Sequence, residues 1–195
     1  MIRAGTVAEL TRGSGDWLFI DVGFAERSRS CGLLLGDGDP VEVTFADLVS
    51  RGQAVVSEST SPLNLLIEAP LSVAFTATGN PTGRSVEKRD SGTRYWYVGL
   101  GCGVLVAALY FLSGLSRVTS RRDVRLFEGF ASFKTRGAKS SHTGDVREAV
   151  WHPEQHPKAI VPPDGLPRTS TDTVLSAFKV AGMDYGVPPV VVIDG

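Results

Sequence analysis

Three short apolar runs, far apart in the chain, each end on a carboxylate: Phe19-Ile20-Asp21-Val22, Leu66-Ile67-Glu68-Ala69-Pro70 and Leu126-Phe127-Glu128-Gly129. Runs this short and this apolar belong in buried strands of a sheet. A carboxylate beside a sheet core is costly unless something pairs with it. One such acid is explained by an exposed edge or an ion pair. Three, each closing a hydrophobic run, point to a shared site beyond the strand ends. Structural caps or salt bridges are the competing explanation, and for any single acid the simpler one.

The segments around these runs set the fold class. Trp17 to Phe24, Cys31 to Leu35 and Val41 to Phe45 read as strands. Their links are short, and the second carries the turn residues Gly36-Asp37-Gly38-Asp39-Pro40, so an antiparallel meander is expected. Asn64 to Ala69, Val124 to Phe130 and Val190 to Ile193 read as further strands. Phe45 to Arg51 and Asp145 to Trp151 read as short helices, the second capped by Thr143 or Asp145. Thr171 to Met183 has helical spacing, with Val174, Leu175, Phe178 and Ala181 on one face. The polar, Gly- and Ser-rich stretch Ala77 to Arg94 reads as a long loop. Three strands followed by alternating strands and helices predict an α/β chain, a mixed sheet with helices on its faces, as one domain over residues 1–195.

Tyr95 to Leu115 carries no charge and approaches the length of a bilayer span. Its small residues, and the strand-like segments on both sides that need each other, favour a helix buried on most of its faces and no membrane. Gly99-x-Gly101-x-Gly103 lies inside that helix rather than after a strand, so it is not a nucleotide fingerprint. No Walker-type lysine motif and no Gly-x-Ser-x-Gly elbow occurs. Cys31 and Cys102 have no metal-type spacing and make no disulfide framework, and Met1 to Gly15 has no export-type apolar core. A cytoplasmic location is the expectation.

The formal net charge is -1, so a nucleic-acid partner requires a local basic patch. From Arg84 to Lys139 there are eleven Lys and Arg against four Asp and Glu, a surplus of seven. Arg84, Lys88, Arg89 and Arg94 are the candidate contacts to a phosphate backbone. His152 and His156 have a spacing that suits zinc on a helix, with His142 upstream, but Pro153 and Pro157 break such a helix and no Cys is near. A fourth acid, Asp172, opens the last predicted helix. It is either a cap, in competition with Ser170 and Thr171, or the acid that this helix brings to the strand ends. Clustered carboxylates with few nitrogen donors suit Mg²⁺ or Mn²⁺.

Phe19-Ile20-Asp21-Val22-Gly23, Ile67-Glu68-Ala69-Pro70-Leu71, Phe127-Glu128-Gly129-Phe130 and Thr171-Asp172-Thr173-Val174-Leu175-Ser176-Ala177 stand in this order across most of the chain. In that order and approximate spacing the chain resembles the RNase H-like superfamily. Within it, the chain is most similar to the predicted nucleases of domain-of-unknown-function family 429. The family pattern commonly has Asp where Glu68 stands, and its last helix usually carries more than one acid, whereas here only Asp172 matches. The resemblance implies an RNase H-like mixed sheet, an antiparallel three-strand meander followed by parallel strands with helices on both faces. It also implies a metal-dependent nuclease that cleaves DNA or RNA by a two-metal mechanism. Asp21 would bridge two ions, Glu68 and Asp172 would hold one each, and Glu128 would complete the shell. Two alternatives stay open: a catalytically weak nucleic-acid or protein binding module on the same fold, and a nucleotide-binding protein of the actin-like ATPase type.

Overall fold

The computed structural model describes residues 1–23, 29–89, 92–131, 141–150 and 160–193. Strand β1 (Ile2–Ala4) leads into helix α1 (Val7–Arg12), where Thr6 and Glu9 form a capping box and Gly13, at φ 63°, ends the helix. Strands β2 (Asp16–Asp21), β3 (Cys31–Leu35) and β4 (Val41–Val43) form the antiparallel meander, in register Leu18↔Leu35 and Asp21↔Gly32, then Cys31↔Val43. Thr44 caps helix α2 (Phe45–Glu58), which runs well past the expected end at Arg51. Strand β5 (Leu63–Glu68) then returns parallel to β2, with Asp21 beside Glu68.

The chain next leaves the sheet for β6 (Ser72–Phe75), β7 (Pro81–Thr82) and the small hairpin β8 (Lys88–Arg89) and β9 (Gly92–Thr93). Ala77 to Arg94 is therefore not a plain loop. It carries a short 3-10 turn and fully buried charged residues. Helix α3 (Leu100–Ser116) leads into β10 (Val124–Phe130), parallel to β5. Helix α4 (His142–Glu148) and strands β11 (Ile160–Val161), β12 (Thr173–Ser176) and β13 (Val190–Val192) follow. The main sheet runs β11-β13-β10-β5-β2-β3-β4. The outer edge of β10 is shared: β1 pairs with its first half and β13 with its second.

Alternation along the strands divides the sheet into two buried faces. Leu18, Ile20, Leu65, Ile67 and Leu126 meet Leu48 and Val56 of α2 and Ala108, Phe111 and Leu112 of α3. Phe19, Leu34, Leu66 and Phe127 meet Leu10 of α1, Val146 of α4 and Ala149 just past its end. The chain is thus an α/β protein with a mixed sheet and helices on both faces.

Two expectations need correction. Thr171 to Met183 is not a helix: Thr173–Ser176 pairs antiparallel with β6, so a ladder that only tertiary structure supplies overrides the helical spacing. The uncharged helix is apolar all round yet buried on one side only, with Val106 52% and Tyr110 68% exposed. Its 17 residues span about 26 Å, short of a hydrocarbon core of ~30 Å. Among the described residues, no helix is long and apolar enough to cross a membrane.

Candidate functional site

Four residues lie side by side across the C-terminal ends of the central strands. The registers place Gly32 of β3 beside Asp21 of β2, and Asp21 beside Glu68 of β5. The pairing of Glu128 with Ile67 sets Gly129 of β10 next in the row. Two carboxylates are thus flanked by two residues without side chains. Asp21 follows Ile20 and Glu68 follows Ile67, so both point to the face covered by α1 and α4.

The bare backbone at Gly32 lets α4 come close. A Cβ there would sit 2.5 Å from Val146 Cγ2 and 2.9 Å from the His142 carbonyl carbon, inside van der Waals contact. Ser141 caps α4 by accepting from the Gly144 N–H, in place of the expected Thr143 or Asp145. That leaves Asp145 one turn inside a helix seated on the sheet, beside the strand ends. Asp21, Glu68 and Asp145 each offer a carboxylate oxygen, and the three oxygens lie within 4.8 Å of one another. Asp21 and Asp145 are buried, at 8% and 9% exposure. His142, one turn before Asp145, places Nδ1 2.5 Å from Asp21 Oδ2.

Two like charges at this separation repel by about 3 kcal/mol at an effective dielectric of ~20. Three together favour a cation among them. The donor set is hard oxygen with one imidazole at its edge, which fits Mg²⁺ or Mn²⁺. The nearby Cys31 thiol donates to the Gly23 carbonyl at 3.2 Å. Burial, with a smaller contribution from Asp21, pushes its pKa up, so it stays protonated and is no nucleophile.

The acids Asp21 and Glu68 open into a cleft of about 500 Å³ across the ends of β2, β5 and β10. Its far wall is the segment from Thr93 to Tyr95 together with the first turn of α3. A position outside the carboxyl ends of parallel strands is where α/β sheets commonly bind ligands.

Glu128 belongs elsewhere. Its register partner is Ile67, so it points to the opposite face from Asp21 and Glu68. There it is fully buried, and its Oε2 accepts from Arg84 Nη1 at 2.7 Å and from the Leu71 N–H at 2.8 Å. Arg84 also binds Glu87 Oε1 through Nη2 at 2.8 Å and Ser72 Oγ through Nη1 at 2.8 Å. Burial works against the Arg84 charge, but the two carboxylates outweigh it and raise its pKa. Desolvation pushes Glu87 upward. Arg84 is therefore a buried structural cation, corrected from a surface phosphate contact.

The other expected site residues also disperse. Asp172 precedes β12, whose start pairs with Phe75 and whose end, Ser176, pairs with Ser72. It therefore sits about 13 Å along β6 from the Ser72 level, where its Oδ2 accepts from the Thr169 N–H at 3.0 Å. Asp172 opens no helix and does not join the acidic cluster among the described residues. Lys88 is exposed and Arg89 half-buried on the β8–β9 hairpin; Arg94 alone of the four expected contacts lines the cleft. His152 and His156 lie outside the described residues. Asp145 and His142 are the residues that sequence reasoning assigned to other roles. The signal for them is their three-residue spacing, which puts both on one face of a helix.

Fold and site together define an α/β protein with a carboxylate cluster at the C-terminal ends of two neighbouring parallel strands. No protein-family model, no curated protein and no solved structure matches the chain.

Proposed function

We propose that this chain is a metal-dependent phosphodiesterase of the RNase H-like type, acting on DNA or RNA. The observation that carries the reading is the meeting of Asp21, Glu68 and Asp145 within 4.8 Å. They come from positions scattered along the chain, and two of them open into a cleft of nucleotide size. The strand order β4-β3-β2-β5-β10, antiparallel through the meander and parallel beyond it, supports the RNase H-like part.

Asp21, Glu68 and Asp145 are the residues that would hold Mg²⁺ or Mn²⁺. When bound, such ions activate water at neutral pH and neutralise the leaving oxygen of a phosphodiester. His142 orients Asp21 through Nδ1. The N-terminus of α3 at the cleft wall adds partial positive charge facing an incoming phosphate.

The test is cleavage of labelled single- and double-stranded DNA and RNA with Mn²⁺, alongside melting with and without the ion. The wild type should cleave at least one substrate and gain stability with Mn²⁺. Asp21→Asn and Asp145→Asn should lose both. A wild type that shows neither overturns the assignment.

A further inference from the structure

The cleft holds more than acids. Leu100, the first residue of α3, is 89% exposed, and Val98 is 58% exposed. Both stand at the cleft wall. Pro70, Val104 and Phe130 continue an apolar lining from them toward Glu68. Among the described residues, nothing packs over the Leu100 side chain in a way that requires it to be apolar. Among the described lining residues, Arg94 is the one Lys or Arg.

Tyr95 lines the same cleft beside Val98 and Leu100. Its ring stacks on Tyr97 with centroids 5.4 Å apart, and the Arg168 guanidinium lies 6.0 Å from its centroid. Arg168 Nη1 also donates to Tyr95 Oη at 3.3 Å. The exposed aliphatic side chains of the cleft wall are those of Val98 and Leu100.

We infer that the site takes an unpaired, single-stranded nucleotide segment, its phosphate at the carboxylate cluster and its base against the Val98–Leu100 wall. This rests on the metal-dependent phosphodiesterase reading for the phosphate end only. A ligand here needs an anionic group that reaches the acids through a cation, joined to a flat apolar body that covers the wall. A single-stranded nucleotide has both, because its base faces are open. A duplex buries those faces in its stack and presents phosphates on both edges. It would set charge against Leu100 and would find one cation where it needs a row. A volume of about 500 Å³ accommodates a nucleotide, not the width of a double helix.

The test uses fluorescein-labelled (dT)10 and a DNA hairpin duplex, with Ca²⁺ in place of Mn²⁺ so that binding is read without cleavage. By anisotropy (dT)10 should bind at least about tenfold tighter than the hairpin. Leu100→Ser should weaken (dT)10 about tenfold and leave the hairpin and the melting temperature unchanged, since the side chain is exposed. Val98→Ser should act in the same direction. Thymidine monophosphate should compete only at far higher concentration than unlabelled (dT)10. Equal binding of hairpin and (dT)10, indifference to both substitutions, or full competition by the mononucleotide at strand-like concentration each overturns the inference. The two readings separate cleanly. Strand-selective, Leu100-dependent binding without Mn²⁺ cleavage keeps the substrate class and removes the nuclease. Asp21-dependent cleavage of duplex in preference to single strand does the reverse.

Discussion

Gly32→Ala tests the geometry on which the site depends. The added methyl would stand 2.5 Å from Val146 Cγ2 and closer still to the His142 carbonyl oxygen. Ordinary contact needs about 3.5 Å, so α4 must withdraw by about 1 Å. The far end of a flexible side chain could yield at little cost, but a backbone carbonyl moves only with its helix. Overpacking of this kind destabilises by about 1–3 kcal/mol. For a chain of this size each kcal/mol lowers the melting temperature by roughly 2–4 °C, which gives a fall of about 2–12 °C. The same withdrawal carries Asp145 and His142 away from Asp21 and Glu68. Displacements near 1 Å in a preorganised site can change its performance about 100-fold, so the stabilisation by Mn²⁺ should shrink or vanish. The assay is a thermal melt with and without Mn²⁺. Gly103→Ala is the control: it lies in an exposed part of α3 where a new Cβ meets nothing within 4 Å. It should raise stability by about 0.5–1 kcal/mol and leave the metal response intact. A Gly32→Ala protein with the wild-type melting temperature and Mn²⁺ response would refute the seating of α4 on β3.

Arg84→Met should be far more damaging than a surface arginine change, because it leaves Glu87 and Glu128 buried without their cation. Loss of one partner of a buried pair costs about 3–5 kcal/mol, and urea unfolding would read it. Desolvation already pushes the Glu87 carboxyl up, and the variant removes the cation that opposes it, so protonation of Glu87 should narrow the deficit as pH falls; a constant deficit would count against the cause given. Hydrogen bonding to Arg3 holds the Glu9 carboxyl at a pKa of about 2, below the ordinary 4.5. Its stabilising contribution is present above pH 4.5 and lost as pH falls through about 2, so the gap between wild type and Glu9→Gln should close over that window. Asp145→Asn should lower Mn²⁺ affinity at least about tenfold by calorimetry while leaving metal-free melting little changed.

The meander, the buried strands and the sheet class were legible because short apolar runs with turn residues between them have few other uses. Asp21 and Glu68 were legible as a pair for the same reason. Glu128 looked identical in sequence, an acid after an apolar run. Which face it takes depends on the register of β10 against β5, and a shift of one residue reverses the face. Register is a property of the assembled sheet, not of the local run. Asp145 was hidden by its surroundings: in Ser141-His142-Thr143-Gly144-Asp145 any of several side chains can cap a helix, and only the packing of α4 over Gly32 shows which end of the molecule it serves. Asp172 misled because Val174, Leu175 and Phe178 fit a helical stripe as well as the strand that β6 imposes. Arg84 misled because a polar composition does not reveal that two acids enclose it.

The divided edge of β10 has a bearing on how the sheet comes apart. The Val124 amide donates to Met1, and the Glu128 amide donates to Pro189, so one continuous strand is protected by two separate pieces of chain. The two pieces are tied where they meet, because the Ala4 amide donates to the Tyr185 carbonyl ahead of β13. Amide hydrogen exchange should therefore show this edge of β10 opening with both pieces together rather than half by half.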